Sequence, residues 1–365
     1  MRILALNAGS SSLKSSLVEQ PGDVTLSRDE LQRAPGPDAW TDALRTVLTD
    51  AGTVDAVGHR VVHGGTRFVA PLLIDNAVVA HLDELRDLAP LHNGPALEVI
   101  AAARATLPGV PQVACFDTAF HATLPPAGFV YPLPYAWYED WAVRRFGFHG
   151  LSVAWSVEGA AALLGRPAGE LALVVAHLGS GCSVTAVLGG GSVDTSMGMT
   201  PLEGLMMGTR SGSVDPGILL ELLDAERLSL AALSEALQHR SGLLGVSGVS
   251  ADLRAVQAAA ASGEIRAALA LELFVRRAAA AIGAAATALP RLDALVFTGG
   301  IGEHAAEVRS EICRRLATLG VPSAVAAPSD EADAVLSDAA APVRVLRVTA
   351  REDLVIAREA HRLLP

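Results

Sequence analysis

The sequence predicts an α/β protein in which one sheet-bearing unit is used twice. Three observations carry this. NAGSSSLKSSLVE near the start and HLGSGCSVTAVLG near the middle share one form: an apolar strand, a polar residue, a Gly/Ser turn and a second strand. Short apolar runs alternate with Ala/Leu-rich helical stretches in both halves. Polar and charged residues collect where the apolar runs end, the place where ligands bind in sheet-based α/β proteins.

The first run ends at Asn7 and turns through Gly9 and three serines to Lys14. A Walker A loop would need glycine where Leu13 stands, and a helix where LKSSLV reads as a strand. The segment is therefore a hairpin whose tip offers backbone N–H groups, hydroxyls, an amide and one cation. Lys14 is the only lysine, the other 27 of the 28 basic residues being arginine. A compact charge on phosphate would explain its retention.

Gln20 to Trp40 is polar and contains Pro and Gly, and reads as a surface hairpin or loop. VDAVGHRVVHGG is a strand ending in basic residues and glycines, with Arg60 and His63 at its end. An Ala/Leu helix near Pro95–Leu107 leads to VPQVACFDTAFH, a strand closed by a polar turn with Asp117 and His121. LPPAGFVYPLPYAWYE is rich in proline and aromatics and reads as a loop. His149 stands in RRFGFHG, and the repeat of the opening hairpin follows, with His177 at the head of HLGSG.

The second half is otherwise helical: PGILLELLDAE, LSLAALSEALQ and an Ala-rich stretch from Ala251 to Leu289. In LDALVFTGGIGEHAAEVRSEICRRLATLG a buried strand meets a double glycine and an amphipathic helix. Glycines permit close backbone approach there, and a helix N-terminus favours anions. VRVLRVTAREDLVIAREAHRLL is a strand, a polar turn at 351–353 and a closing helix. MTPLEGLMMGTRSGSVDPG has no clean period and sets Arg210 in a glycine loop, a form suited to clamping a transferring phosphoryl group.

Composition excludes several classes. The 365 residues carry a net charge of -11, against a nucleic-acid footprint. Cys115, Cys182 and Cys313 are far apart with no metal spacing, which points to reduced thiols in a cytoplasmic protein. Cys182 is read as a small residue in a tight turn. The short run after Met1-Arg2 lacks signal-peptide form, and Ala278–Leu289 is too short to span a bilayer, so no membrane association is expected.

Taken in order, NAGSSSLK, HRVVHGG, LAPLHN, FDTAFH, RRFGFHG, TPLEGLMMGTRSG, GLLGVSGVSADLR and GGIGE resemble the acetate kinase family. This is the acetokinase branch of the actin-like, sugar kinase and Hsp70 superfamily, and the resemblance runs from Ile3 to the C-terminal helix. It implies two actin-like (RNase H-like) domains, each a mixed β-sheet flanked by helices, with a central cleft. Residues 1–150 plus about 351–365 would form the N-terminal domain, and 151–350 the C-terminal, nucleotide-binding one. Hinges would lie near Gly150 and before Arg351.

The implied reaction is reversible phosphorylation of acetate by ATP to acetyl phosphate and ADP, with Mg²⁺ or Mn²⁺, in a homodimer. By motif position, Asn7 and Glu352 would serve the metal, with Ser10, Ser12 and Lys14 in the first phosphate loop. Arg60 and Arg210 would bind the carboxylate and the phosphoryl group, beside Asp117 and His149. Val62, Leu91, Phe148 and Pro201 would line the acyl pocket. His177, Gly179, Ser180 and Gly181, with Gly299, Gly300, Ile301, Gly302 and Glu303, would hold the nucleotide.

His63, His92 and His121 read as hydrogen-bonding scaffold, and so equally does His177, although it opens a nucleotide loop. Ser180 and His304 stand where the family usually has asparagine, and the stretch between Lys14 and Arg60 is shorter than usual. A propionate or butyrate kinase is the neighbouring reading, and a non-catalytic actin-like nucleotide switch the distant one.

The physics of the implied step is simple. A carboxylate nucleophile, ordinarily with a pKa of about 4 to 5, is already ionised at neutral pH. No general base is needed, so Asp117 is expected to orient an arginine or metal-bound water. His149 is expected to donate to the phosphoryl group.

Overall fold

The computed structural model describes residues 1–9, 12–32, 39–85, 90–323 and 333–364. They form two compact units. The first comprises Met1–Ala122, Phe148–Trp155 and Arg351–Pro365; the second comprises Thr123–Gly147 and Ser156–Ala350.

In the first unit, β1 (Arg2–Ala8), β2 (Ser12–Glu19) and β3 (Val24–Gln32) form an antiparallel meander. β4 (Ala56–Val61) pairs parallel with β1, and β6 (Gln112–Phe116) parallel with β4. The short β5 (Leu72–Leu73) pairs antiparallel with β6, giving the order β3-β2-β1-β4-β6-β5. Helices α1 (Ala39–Ala51), α2 (Asn76–Glu84) and α3 (Pro90–Thr106) connect the strands.

Alternation along β1 builds a core on both faces. Leu4 and Leu6 join Trp40, Leu44, Val99 and Ala103 of α1 and α3 on one side. On the other, Ile3 and Ala5 join Leu354, Ile356 and Ala357 of α14 (Glu352–Leu363), the closing helix. A Cβ on Gly58 of β4 would lie 2.4 Å from Ile356 Cγ2, so glycine is what lets this helix sit against the sheet.

The second unit opens with α4 (Pro126–Phe129) and α5 (Tyr135–Trp141), and receives α6 (Gly150–Leu164), whose first turns belong to the first unit. β7 (Ala172–Leu178), β8 (Cys182–Leu188) and β9 (Gly191–Thr195) form a second meander. After α7 (Pro216–Asp224), α8 (Leu230–His239), α9 (Gly242–Ser247), α10 (Leu253–Ala261) and α11 (Ile265–Ala286) comes β10 (Ala294–Thr298), parallel to β7.

α12 (Gly299–His304) and α13 (Ala306–Arg315) precede β11 (Ala334–Val335) and β12 (Arg344–Arg347). β12 is parallel to β10, and β11 is its antiparallel edge. The order β9-β8-β7-β10-β12-β11 repeats the first sheet, strand for strand, so the two hairpins belong to one topology used twice. α11 buries Ala267, Ala270, Phe274, Ala278, Ile282 and Ala285, a helical stripe, and packs on β7 and β8.

Two local expectations are sharpened and two corrected. The polar stretch, read as a surface hairpin or loop, is the second arm of a hairpin: it holds β3, an edge strand antiparallel to β2 whose Val24 and Leu26 are exposed. The Pro/aromatic stretch holds α4 and α5; Pro126 starts α4 at a position where the missing N–H costs nothing. The Ala-rich stretch is two helices, broken where Gly263 takes φ 100°. The segment after the double glycine is also two helices, so the amphipathic α13 does not begin at the glycines.

Segment 123–147 groups with the second unit because its contacts lie there: Thr123 Oγ1 donates to Ser192 O (2.8 Å) and Phe146 N to Gly198 O (3.0 Å). Among the described residues no helix is long and apolar enough to cross a membrane. All three cysteines are buried thiols, and burial pushes the Cys182 thiol up to about 12.

Two stability predictions follow from the first unit. Gly58→Ala should cost about 1–3 kcal/mol by overpacking β4 against α14, read as a lower urea midpoint at unchanged slope. His59, bonded to Gln112 Oε1 at 2.7 Å, and His121, bonded to Phe148 O at 2.9 Å, are fully buried; burial holds each at about 4. Both are neutral in the folded state, whereas the unfolded chain takes up protons near pH ~6.5. Stability should be complete above that pH and fall towards pH ~4, by up to about 3 kcal/mol per histidine, in urea titrations across the range. A flat profile would contradict neutral burial.

Candidate active site

Strands β1, β4 and β6 run parallel through the middle of the first sheet, so their C-terminal ends come out at one edge. Asn7 lies near the end of β1, Arg60 near the end of β4 and Asp117 just past β6. Asp117 N donates to Val61 O at 3.1 Å, which carries the ladder one residue beyond the strand.

These side chains form one connected set. Arg60 Nε and Nη2 donate to Asp117 Oδ1 and Oδ2 at 2.9 and 2.6 Å, a two-pronged ion pair. Arg60 Nη1 donates to Asn7 Oδ1 at 3.1 Å and lies 3.7 Å from Glu352 Oε2. Asn7 Nδ2 donates to that same Glu352 oxygen at 3.1 Å. The Asp117 side chain is 1% exposed and that of Arg60 17%. Burial pushes the Asp117 carboxyl up while the guanidinium beside it pulls down; the two carboxylates keep Arg60 protonated.

The adjacent acids Glu352 and Asp353 part company at the start of α14. Glu352 turns to Asn7 and Arg60, while Asp353 is held by Arg28 (3.1 Å) and Arg351 (3.2 Å). Arg28 belongs to β3, and Arg351 also reaches Thr25 of β3 at 2.7 Å. The outer strand of this hairpin therefore helps to orient the helix start.

His149 has φ 57°, a left-handed conformation uncommon outside glycine, and its backbone N–H bonds the Asp117 carboxylate. Gly150 follows with its N–H on Asp117 O at 3.1 Å; a Cβ there would lie 2.0 Å from that oxygen. FHG is thus pressed onto Asp117 by backbone. Phe148 and Val62 are buried, and the His63 ring meets Phe148 edge-on at 5.5 Å. Leu91 lies in α3, and its side chain is outside the described residues.

At the first hairpin Gly9 N closes the turn on Ser12 O at 2.8 Å. Ser12 Oγ donates to Glu30 Oε1 at 3.2 Å, and Lys14 Nζ stands 4.0 Å from Glu30 Oε2 with its side chain 63% exposed. Glu30, on β3, escaped sequence reading together with its strand. Lys14 is opposite Asn7 in register, which puts both on one face. Ser10 lies outside the described residues.

In the second unit the glycine loops converge. Gly299 takes φ 78°, and a Cβ on it would lie 2.8 Å from Leu178 O and 3.1 Å from His177 Nε2. A Cβ on Gly179 would be 3.8 Å from Gly300 N, whereas one on Gly300 would meet nothing within 4 Å. Gly208 N donates to Ser180 O at 3.2 Å, bringing in the Arg210 loop. Arg210 Nη1 donates to Pro201 O at 2.6 Å.

The α12 loop is locked from behind. Arg309, 1% exposed, donates to Gly302 O and Glu303 O at 2.9 and 2.8 Å, and Glu303 Oε1 accepts from Ala350 N at 3.0 Å. The Glu303 carboxylate therefore faces the chain end of its own unit. Arg309 lay unmarked in a helix of many charges. α12 has six residues, so what this loop offers is open backbone at Gly300 rather than a helix dipole.

Among the described residues no group of three or more His, Cys, Asp or Glu side chains could hold a metal by itself. Asn7 and Glu352 are hard oxygen donors, as Mg²⁺ requires. A pair of protein ligands completed by water and substrate phosphate is its common mode, so the residues fit.

A family model described as the acetokinase family matches residues 32–358. An acetate kinase of Synechococcus sp. (strain JA-2-3B'a(2-13)) is 46% identical over 404 aligned residues, covering 100% of this chain and 99% of its own. Among solved structures, Porphyromonas gingivalis acetate kinase matches with a TM-score of 0.89 at 37% identity, and a propionate kinase from Francisella tularensis with 0.90 at 36%. Both cover 100% of each chain. The expected pair of units, each a mixed sheet flanked by helices, is the fold observed, and the chain belongs to the acetokinase family.

Proposed function

We propose that this protein catalyses the reversible, ATP-dependent phosphorylation of acetate to acetyl phosphate by direct in-line transfer. The observation that carries this reading is the buried Arg60 cluster: an arginine fixed by Asp117 and Asn7 at the sheet edge, in a chain of this family. A switch or filament protein has no use for a cation so placed.

The acid arrives ionised, so the chain supplies position and charge, not a base. Both Asp117 oxygens bond Arg60, which suits an orienting role. Arg60 would hold the acetate carboxylate, and Val62, Phe148 and Pro201, with Leu91, would enclose its methyl group. Arg210 would stabilise the transferring phosphoryl group together with His149. Asn7 and Glu352 would hold Mg²⁺, which when bound neutralises charge on the phosphate oxygens. Ser10, Ser12 and Lys14, the 177–181 turn and the 299–303 loop would contact the nucleotide, Glu303 acting from behind that loop. The protein would act as a cytoplasmic homodimer.

Propionate is the second acid to test, because the Francisella structure named as a propionate kinase matches as well as the acetate kinase does. One methylene in an apolar pocket is worth only about 1–3 kcal/mol.

Incubation with ATP, Mg²⁺ and hydroxylamine should trap an acyl hydroxamate, with acetate giving the strongest signal among acetate, propionate and butyrate. Arg210→Ala should lower kcat by about 10²- to 10³-fold, as loss of one charge stabiliser does. A signal with none of the acids would sink the reading.

A further inference from the structure

The loop that carries Pro201 and Arg210 is fastened by three side chains that the reading above does not use. Glu203 accepts from the Tyr131 hydroxyl on Oε2 and from Arg145 Nη2 on Oε1, the latter at 3.0 Å. Tyr131 Oη in turn accepts from Met199 N at 3.0 Å. Arg145 Nη1 donates to Ser196 O and Met197 O at 3.2 and 3.0 Å, and its guanidinium lies 5.3 Å from the Tyr131 ring centroid. Burial and the Glu203 contact push the Tyr131 hydroxyl up, so it stays a donor at any physiological pH.

The knot admits only glycine at its centre. A Cβ on Gly198 would lie 1.8 Å from Glu203 Oε2 and 2.2 Å from Tyr131 Oη. The Gly198 carbonyl also accepts from Phe146 N and Gly147 N at 3.0 and 3.3 Å, the residues that lead into Phe148 and His149. Every polar arm of the knot thus ends on the backbone of 196–199, on Glu203 or on the stem of the FGFHG motif. Between Met199 and Glu203 stands Pro201, whose carbonyl holds Arg210 Nη1 at 2.6 Å.

From this connectivity we infer that Tyr131, Arg145 and Glu203 are positioning residues that set the aim of Arg210 and the wall of the acyl pocket at Pro201. The inference rests on the proposed role of Arg210. It does not make the knot touch substrate. The loop has no regular secondary structure of its own, and Arg210 grips the Pro201 carbonyl, so fixing that carbonyl bears directly on where the guanidinium points. A side chain that bonds backbone at 196–199 and carries Glu203 does that fixing.

Tyr131→Phe keeps the ring and removes only the hydroxyl that bridges Met199 N and Glu203. Its acetate KM should rise about tenfold, the worth of one such hydrogen bond. The KM for ATP should stay near wild type, and the preference for acetate over propionate should narrow. Glu203→Gln, which keeps one acceptor, should fall between wild type and Glu203→Ala. In an Arg210→Ala background Tyr131→Phe should have little further effect, because the group whose aim it sets is gone. Thermal midpoints close to wild type would separate this from general loosening.

A crystal structure of Tyr131→Phe gives a readout independent of turnover. The Pro201–Arg210 contact should be lost there. If wild-type protein shows no acid-dependent turnover, the functional reading fails, and this contact alone judges the knot. An intact contact in Tyr131→Phe, or equal losses for ATP and acetate accompanied by a lowered melting temperature, would overturn the inference.

Discussion

The first unit turns on one buried ion pair. Taking Asp117 and most of Arg60 out of water carries a desolvation cost, offset only by good geometry and by partners for the remaining donors. Both conditions are met: two parallel bonds of 2.9 and 2.6 Å, with Asn7 on the remaining guanidinium nitrogen and Glu352 close by. The backbone N–H of His149 adds a further bond to the carboxylate. The left-handed backbone at His149 and the glycine at 150 are consequences of the same demand, since both bring chain close to Asp117.

The two sheets have one topology and different contents. At its strand ends the first carries charge: Asn7, Arg60 and Asp117 on neighbouring parallel strands. The second carries glycine: the turn after β7 and the loop after β10, so close that a single added carbon at Gly299 would strike Leu178 O. Charged ends suit a small anionic acid and the phosphoryl group it receives. Bare backbone suits the larger surface of a nucleotide. On the proposed function, a duplicated architecture would serve two different tasks, because strand-end residues are free to differ while the apolar pattern between them is kept.

Much of the site could be read in sequence because it sits in motifs whose residue types are restricted by contact. GFHG needs glycine beside Asp117, and TPLEGLMMGTRSG needs Gly204 and Gly212 at φ 107° and 69°. Residues that hold the site from behind were not readable. Glu30, Thr25 and Arg28 lie on β3, an edge strand with exposed apolar residues and no pattern to mark it. Arg309 sits in a helix where charges are ordinary, and its burial is visible only in three dimensions. Tyr131 and Arg145 lie in the Pro/aromatic stretch and its exit, where proline reads as a loop although it also starts helices.

The sequence by itself determined the α/β class, the duplicated hairpin, the order of the main elements and the residues at the strand ends. These follow from periodicity, glycine placement and motif spacing, which are local properties. Tertiary structure decided the pairings. It chose Glu352 over Asp353 for Asn7, gave both Asp117 oxygens an Arg60 nitrogen, turned Glu303 towards Ala350 and tied Arg210 to Pro201. The reason is physical: a buried polar group must find a partner, and which partner it finds depends on residues brought together from distant parts of the chain.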